Sequence, residues 1–549
     1  MEKRLILAFV LSFVVLYGYQ AFFSPPPEPG ANPATTIQNP QPPVAPPVSA
    51  TSAPAERITA AAPAPKEDVL AEKAEEFVVE TALYTATVSN AGGVLKSYKL
   101  KAYADAEGGP IELISELGGT KLGWPLAIET GDAALDETLS EANYLTQAQG
   151  ERLSMEFAAN GVHARKILEF NREKFEFSIR TTLTRDGKSF PHSVVWQGGF
   201  GDQSIAHDPA KKNAIYQVEA AFTRAGLAGI DEPVIVTTPR AGAEDQYFLS
   251  MFLVPDNPGL VKVQKEEYPG TDGNPVRELH VSAAMPDAKD VRVYVGPKDQ
   301  QWLSKADPLL PGVIDYGWFQ VLAKPLFYLL MLIHSYIGNF GWAIIILTLA
   351  INLLLFPLRL KQQIAMQKMQ KIQPQMRTLQ DKYKKLKAND PRRAQVQTEM
   401  MGLYKVHGVN PMGGCLPLLL QMPVFFALYN ALYVSIELRR APWLWVPDLS
   451  QPDWLFGFLP VLPILFAVSM VVMTKMSPTT VDPAQAKIMM FMPLVFAFMF
   501  VNVQSGLSLY WVTGNVVGIG QQVLINKYWS PQVESKPSSR SKPKESPDK

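Results

Sequence analysis

The sequence predicts an α-helical polytopic membrane protein of six spans, with a large all-β sandwich domain on one side of the bilayer and a helical hairpin on the other. Three observations predict it. The second half of the chain is very apolar, it is interrupted by one strongly basic loop, and the stretch between Phe77 and Val295 is made of short alternating runs separated by Gly, Asn and Asp. At 549 residues the chain is too long for one compact core and has to be read in parts.

Met1-Glu2-Lys3-Arg4 precedes an apolar run from Leu5 to Phe23, long enough to cross a bilayer. A cleaved signal peptide is one reading. The length of the run and the lack of a small-x-small site before Ser24 favour an uncleaved anchor over residues 1–23, with Lys3 and Arg4 holding the N-terminus in the cytoplasm. Residues 24–66 are dominated by Pro, Ala, Ser and Thr, which cannot bury enough apolar surface to offset chain entropy, and are read as a linker.

Residues 67–312 carry the alternating runs Phe77–Ser89, Phe175–Thr184 and Val291–Val295, whose period of two marks antiparallel strands. So many strands suit a β-sandwich better than a barrel, placed in the periplasm by the topology. No nucleophile or carboxylate constellation stands out in them, so this domain reads as a scaffold. Residues 313–338, with Trp318, Phe319, Tyr328 and a single Lys324, suit an amphipathic helix lying at the outer membrane surface; a crossing is the alternative.

Residues 339–530 form a five-span core, with spans at about 340–358, 411–433, 457–474, 488–503 and 506–526 by apolar length. Between Arg359 and Lys405 lie twelve Lys and Arg against Asp381, Asp390 and Glu399, a bias that belongs in the cytoplasm. The tail at 531–549 is basic as well, so both termini are expected in the cytoplasm.

Inside the basic loop, Met366, Met369, Ile372, Met376, Leu379, Tyr383 and Leu386 recur at helical steps, and Val396, Met400, Leu403 and Val406 supply a facing stripe. With Asn389-Asp390-Pro391 between them, they predict a cytoplasmic helical hairpin over 361–408. Pro374 removes one helical hydrogen bond, so the span is expected to end in a separate extension before the hairpin begins. Lys384, Lys385, Arg392 and Arg393 make the hairpin either an anchor on anionic lipid or a receptor for incoming polypeptide, with its methionines as the adaptable surface.

No Asp or Glu falls in any span, which argues against proton-coupled transport. Thr348, Asn352 and Arg359 instead share a helical face, as do Ser508, Trp511, Asn515, Gly518 and Gln522; Gln421 adds a polar group on a third span. Such residues often only hold helices together, a reading that weakens for two whole stripes. Lys plus Arg equal Asp plus Glu at 51 each, so charge gives no reason to expect a nucleic-acid partner. A lone cysteine, Cys415, six scattered histidines and the lack of a phosphate loop predict no cofactor, no metal and no nucleotide.

Three segments bring a family into view. Asn410-Pro-Met-Gly-Gly-Cys-Leu-Pro-Leu-Leu-Leu-Gln-Met-Pro-Val-Phe-Phe-Ala-Leu-Tyr429, Lys475-Met-Ser-Pro-Thr-Thr480 and Gly506-Leu-Ser-Leu-Tyr-Trp-Val-Thr-Gly-Asn515 resemble signature stretches of the YidC/Oxa/Alb insertases. The anchor, linker and β-rich domain are similar to the family's Gram-negative form, and Val293-Tyr-Val-Gly-Pro-Lys298 fits the end of its periplasmic domain. The resemblance implies an inner-membrane protein that is not an enzyme. It implies a five-helix core with a polar groove open to cytoplasm and lipid, in which nascent membrane proteins are inserted and helped to fold, alone or beside the Sec translocon.

The bilayer and, through the basic tail, the ribosome are further implied partners. The family's groove carries an arginine five residues before a Pro-Leu pair; Pro357-Leu358 puts Asn352 there, and Arg359 on the same face is the substitute to expect. Thr348, Tyr510 and Trp511 carry over as groove-lining positions, beside Gln421, Ser508 and Asn515. The rival classes are a small-solute transporter or channel, which the missing intramembrane carboxylates disfavour, and an intramembrane protease, which would need a Ser/Lys, Asp/Asp or His/Glu set in the spans.

Overall fold

The computed structural model describes residues 68–529 except 106, 206–207, 255–257, 272, 287, 384–391, 407–415 and 477–482. The expected anchor at 1–23, the linker at 24–66 and the basic tail at 531–549 lie outside these residues. The chain divides into two compact units, the first ending at Ile314 and the second starting at Asp315.

The first unit is built from antiparallel strands in sheets of four, ten and five. Strands of the ten-stranded sheet at Asn213–Val218 and Arg240–Glu244 lie against Pro275–Ala284 of the five-stranded sheet, so the two stack as layers. Alternation puts one face of each strand inside. In Val162–Phe170, every second residue from Val162 is buried.

The expected run Phe77–Ser89 is a hairpin rather than one strand, Glu76–Glu80 returning as Tyr84–Ser89. The Thr81 hydroxyl accepts from the backbone N–H groups of Leu83 and Tyr84 and donates to Tyr84 O, which stabilises the reversal locally. The runs expected at 175–184 and 291–295 are the strands Glu176–Arg185 and Val291–Pro297.

One inward position of Val162–Phe170 is a lysine. Lys166 is fully buried, and its Nζ donates to the carbonyls of Gly92, Gly93 and Leu126 at 2.8, 2.9 and 2.8 Å. Three acceptors match the three N–H groups of an ammonium, which is how a charge is tolerated in an interior.

Short helices α1 (Glu116–Leu122), α2 (Ala133–Glu141) and α3 (Gln300–Ala306) each begin at a capping side chain, Ser115, Asp132 and Asp299. The end of the unit is fastened to the sheets by three arginines. Arg240 Nη2 lies 2.6 Å from Asp307 Oδ2, Arg292 Nη1 donates to Ala306 O at 2.8 Å, and Arg224 Nη2 donates to Val313 O.

The second unit is helical: α4 (Gln320–Ile337), α5 (Phe340–Tyr383), α6 (Arg392–Val406), α7 (Leu416–Tyr433), α8 (Val461–Met476), α9 (Pro483–Phe500) and α10 (Ser505–Tyr528). Helices thus occupy each of the five segments expected to span after residue 339. By length and composition, α4 and Phe340–Met376 of α5 are the described helices long and apolar enough to cross a membrane. In α4, Trp318 just ahead of the helix is 96% exposed and Tyr328 is exposed, while Phe319 stacks on Phe426 of α7.

The break expected at Pro374 does not occur, for α5 runs unbroken through Pro357 and Pro374. A proline removes one intrahelical bond and leaves the rest, so the helix continues as one element of 44 residues. Helix α6 packs back on the far part of α5: Ile372 and Met376 are buried against Met369, Met400, Leu403 and Tyr404. Val406, expected in this seam, is 83% exposed, because it is the last residue of α6 and projects beyond the packed turns.

The core of the unit gathers Ile344, Leu347 and Ile351 of α5, Leu428 and Leu432 of α7, Leu507, Leu509 and Tyr510 of α10, and Trp443 and Leu449 of the 434–460 connection. That connection binds three helix starts. Asn339 Nδ2 donates to Pro442 O, the Leu462 N–H donates to Asp453 Oδ2 at 2.6 Å, and both the N–H and hydroxyl of Ser505 reach Gln451 O.

Candidate polar groove

Helix α10 packs along α5 on one side and α8 on the other, and touches α7. The uncharged polar side chains of these helices meet in this space. On α5, Thr348 is fully buried and its hydroxyl donates to Ile344 O at 2.6 Å. One turn on, Asn352 Nδ2 donates to Thr348 O at 2.8 Å, which fixes the amide with its oxygen toward the next turns.

Arg359 reaches back along the same face. Its Nη1 donates to Asn352 Oδ1 at 3.2 Å and to Gln521 Oε1 of α10 at 2.7 Å. Gln521 Nε2 in turn donates to Asn352 O at 3.2 Å, so one glutamine ties the arginine and the backbone of α5 to α10. Gly518 borders this approach: a Cβ there would stand 3.2 Å from Arg359 Nη1, tight enough that the guanidinium would have to shift by a few tenths of an ångström. No carboxylate among the described residues pairs with Arg359, which is half-buried.

Farther along the bundle, Gln421 Nε2 of α7 donates to the Tyr510 hydroxyl at 2.7 Å, and Asn515 Nδ2 donates to Ser469 Oγ of α8 at 3.0 Å. Toward the end of α10, Gln367 and Gln522 both donate to Asn526 Oδ1 at 3.0 Å. Each of these bonds joins neutral groups, which stay soluble in an apolar surround only while paired.

The expected stripes are therefore brought together, with differences in detail. Asn352 and Arg359 meet directly, and Gln421 meets Tyr510. Trp511 packs instead among Phe425, Phe466 and Phe500 at ring distances of 5.2, 5.3 and 5.5 Å, so its indole fills apolar space. Ser508 is buried, and its Oγ has no partner among the described residues. Thr348 turns its hydroxyl into its own helix, a bond that leaves no donor over for a guest.

Of the hairpin positions, Met369 and Met376 join the α5–α6 seam and Met366 is half-buried outside it. Lys384 and Lys385, and the side chains of Tyr383, Arg392 and Arg393, lie outside the described residues. Two partners escaped the sequence reading. Gln521 falls three turns after Tyr510 and one residue before the expected Gln522, so a slightly wider stripe would have held it. Ser469 is a lone hydroxyl in an apolar helix, which no spacing marks.

Comparison with known proteins matches residues 332–532 to the family described as 60Kd inner membrane protein and residues 76–329 to the YidC periplasmic domain. A protein described as membrane protein insertase YidC from Geotalea daltonii is 36% identical, over 96% of this chain and 99% of its own length. Its counterpart from Geobacter sulfurreducens is also 36% identical, over 96% and 98%. The crystal structure of an active YidC insertase with its first transmembrane domain resolved aligns at a TM-score of 0.37 and 21% identity, over 85% of this chain and 95% of that one.

Proposed function

The chain belongs to the YidC family of membrane protein insertases, inner-membrane proteins with a periplasmic domain, and from that premise we propose how its own residues perform insertion. Its function is to insert inner-membrane proteins and help them fold. The cluster of Arg359, Asn352 and Gln521 carries the proposal: a guanidinium held by neutral amides in a polar space between helices.

A charged side chain at the bilayer centre costs about 2.5–3.5 kcal/mol, while each Leu or Ile gains roughly 0.3–0.6 kcal/mol. A substrate helix thus gains several kcal/mol by entering lipid, yet its polar tail meets a barrier first. In this reading the polar side chains between α5, α7, α8 and α10 form a groove open to the cytoplasm that lowers the barrier. Arg359 stands in for the arginine missing at Asn352 and attracts acidic tails, and no nucleotide is consumed.

The α5–α6 hairpin and the basic tail, both cytoplasmic, receive the nascent chain or ribosome. Helix α4 lies on the outer surface, and five spans of the core with the N-terminal anchor leave both termini inside. The protein works alone or beside the Sec translocon. The seam of Ile372 and Met376 against Met400 supports α5 and α6 as a packed hairpin.

The test is protease-protected insertion of a short single-span protein with an acidic tail into liposomes holding the purified chain. Insertion well above empty liposomes, and a marked loss with Arg359→Ala, is the expected result. Insertion that Arg359→Ala leaves untouched would remove Arg359 from the mechanism.

A further inference from the structure

We propose that Gln521 is a positioning residue that, with Asn352, holds the Arg359 guanidinium by one nitrogen and turns its opposite edge to a carboxylate on the incoming chain. The inference rests on the reading of Arg359 as the cation of the groove and adds how that cation is kept available.

A guanidinium has five N–H donors in a rigid fork. Both bonds of Arg359 leave from Nη1, to Gln521 Oε1 at 2.7 Å and Asn352 Oδ1 at 3.2 Å, and these use the two hydrogens of that nitrogen. Nε and Nη2 bond no described residue. They form the edge that a carboxylate engages with two parallel hydrogen bonds.

The two amides cannot reverse. Asn352 Nδ2 is committed to Thr348 O and Gln521 Nε2 to Asn352 O, so each presents its oxygen to the cation. A flipped Gln521 would set its NH2 against the guanidinium and lose both contacts. Gly518 lies close to Arg359 Nη1, since a Cβ there would stand 3.2 Å from that nitrogen and the guanidinium would have to give by a few tenths of an ångström.

Neutral acceptors matter as much as their aim. A hydrogen bond with one ionised partner is roughly twice as strong as one between neutral groups, and a carboxylate adds a second parallel bond and an opposite charge. A resident carboxylate would cancel the charge and would have to be displaced by each substrate. Two amides orient the cation and leave its charge uncompensated for the next tail.

The test uses the full-length chain in liposomes and two substrates, a single-span protein with an acidic tail and the same protein with Asn in place of Asp. Gln521→Glu is expected to lower acidic-tail insertion about tenfold while neutral-tail insertion holds, because an internal ion pair then occupies the guanidinium. Gln521→Met, which keeps the bulk and loses the acceptor, is expected to lower the acidic-to-neutral ratio by about threefold, a smaller effect since Asn352 still holds Nη1.

An unchanged ratio in both variants, or an equal fall for both substrates, overturns the positioning role. Arg359→Gln separates the two levels. If it leaves the ratio unchanged, Arg359 is not the groove cation; if it collapses the ratio while both Gln521 variants keep it, only the role of Gln521 fails.

Discussion

Gly341, at the start of α5, lies directly beneath the indole of Trp443: a Cβ at position 341 would stand 2.1 Å from Trp443 Cδ1 and 2.2 Å from Cγ. The ring also packs edge-on against Trp342 and beside Trp445, so it has no free direction to yield. Gly341→Ala should therefore destabilise the helical unit by about 1–3 kcal/mol through overpacking. Thermal unfolding in detergent checks it, and Gly341→Ala combined with Trp443→Ala should cost less than the sum of the two single changes, since removing the ring makes room.

Among the described residues, Ile372 and Met376 are the buried centre of the seam between α5 and α6. An unpaired carboxylate there is costly, so Ile372→Asp should release α6 while the rest of the bundle keeps its packing. Limited trypsin digestion should then cut faster between residues 392 and 405, with the main thermal transition in place. Equal cleavage in both proteins would mean that α6 is held by something other than this seam.

In the first unit, Lys166→Met should be strongly destabilising even though methionine fills similar space. It leaves the carbonyls of Gly92, Gly93 and Leu126 without their shared donor, a loss on the order of 3 kcal/mol. A chemical denaturation midpoint that stays within error of the parent chain would contradict this account.

His280 gives the same unit a pH dependence. Burial works against its charge, yet Glu129 Oε2 at 3.3 Å and Glu266 Oε1 at 3.0 Å outweigh it and lift the imidazole to about 9. The His280 hydrogen bond in turn holds Glu129 down to about 2, against the cost of its own burial. An unfolded histidine titrates near about 6.5, so the native state binds the proton more tightly.

This stabilisation is complete below about 6.5 and is lost as pH rises through 9; the Glu129 part is present above about 4.3 and fades as pH falls toward 2. His280→Gln should lower the melting temperature of the sheet unit clearly at pH 6 and much less at pH 9.5. Equal losses at the two pH values would show that the cluster acts by packing alone.

The sequence by itself determined the class of the protein, a helical membrane region with a β-rich domain. Hydropathy reflects a transfer free energy summed along each helix, and alternation reflects the two faces of a strand, so both are written locally. The same holds for the face shared by Asn352 and Arg359, which helical geometry fixes within one segment. The motifs around Asn410–Tyr429 and Gly506–Asn515 were legible for the same reason.

What only the tertiary structure decided is which residue answers which. Gln521 meets Arg359 across 162 positions of sequence, and Ser469 meets Asn515 across 46, because the docking of α8 and α10 sets their register. Trp511 is drawn from the groove into the ring cluster of Phe425, Phe466 and Phe500, and Pro374 is absorbed within a long helix. Lys166 reads as a surface lysine until three distant carbonyls converge on it. Each of these outcomes depends on the desolvation and pairing of groups far apart in the chain, a balance struck only once the helices and sheets have packed.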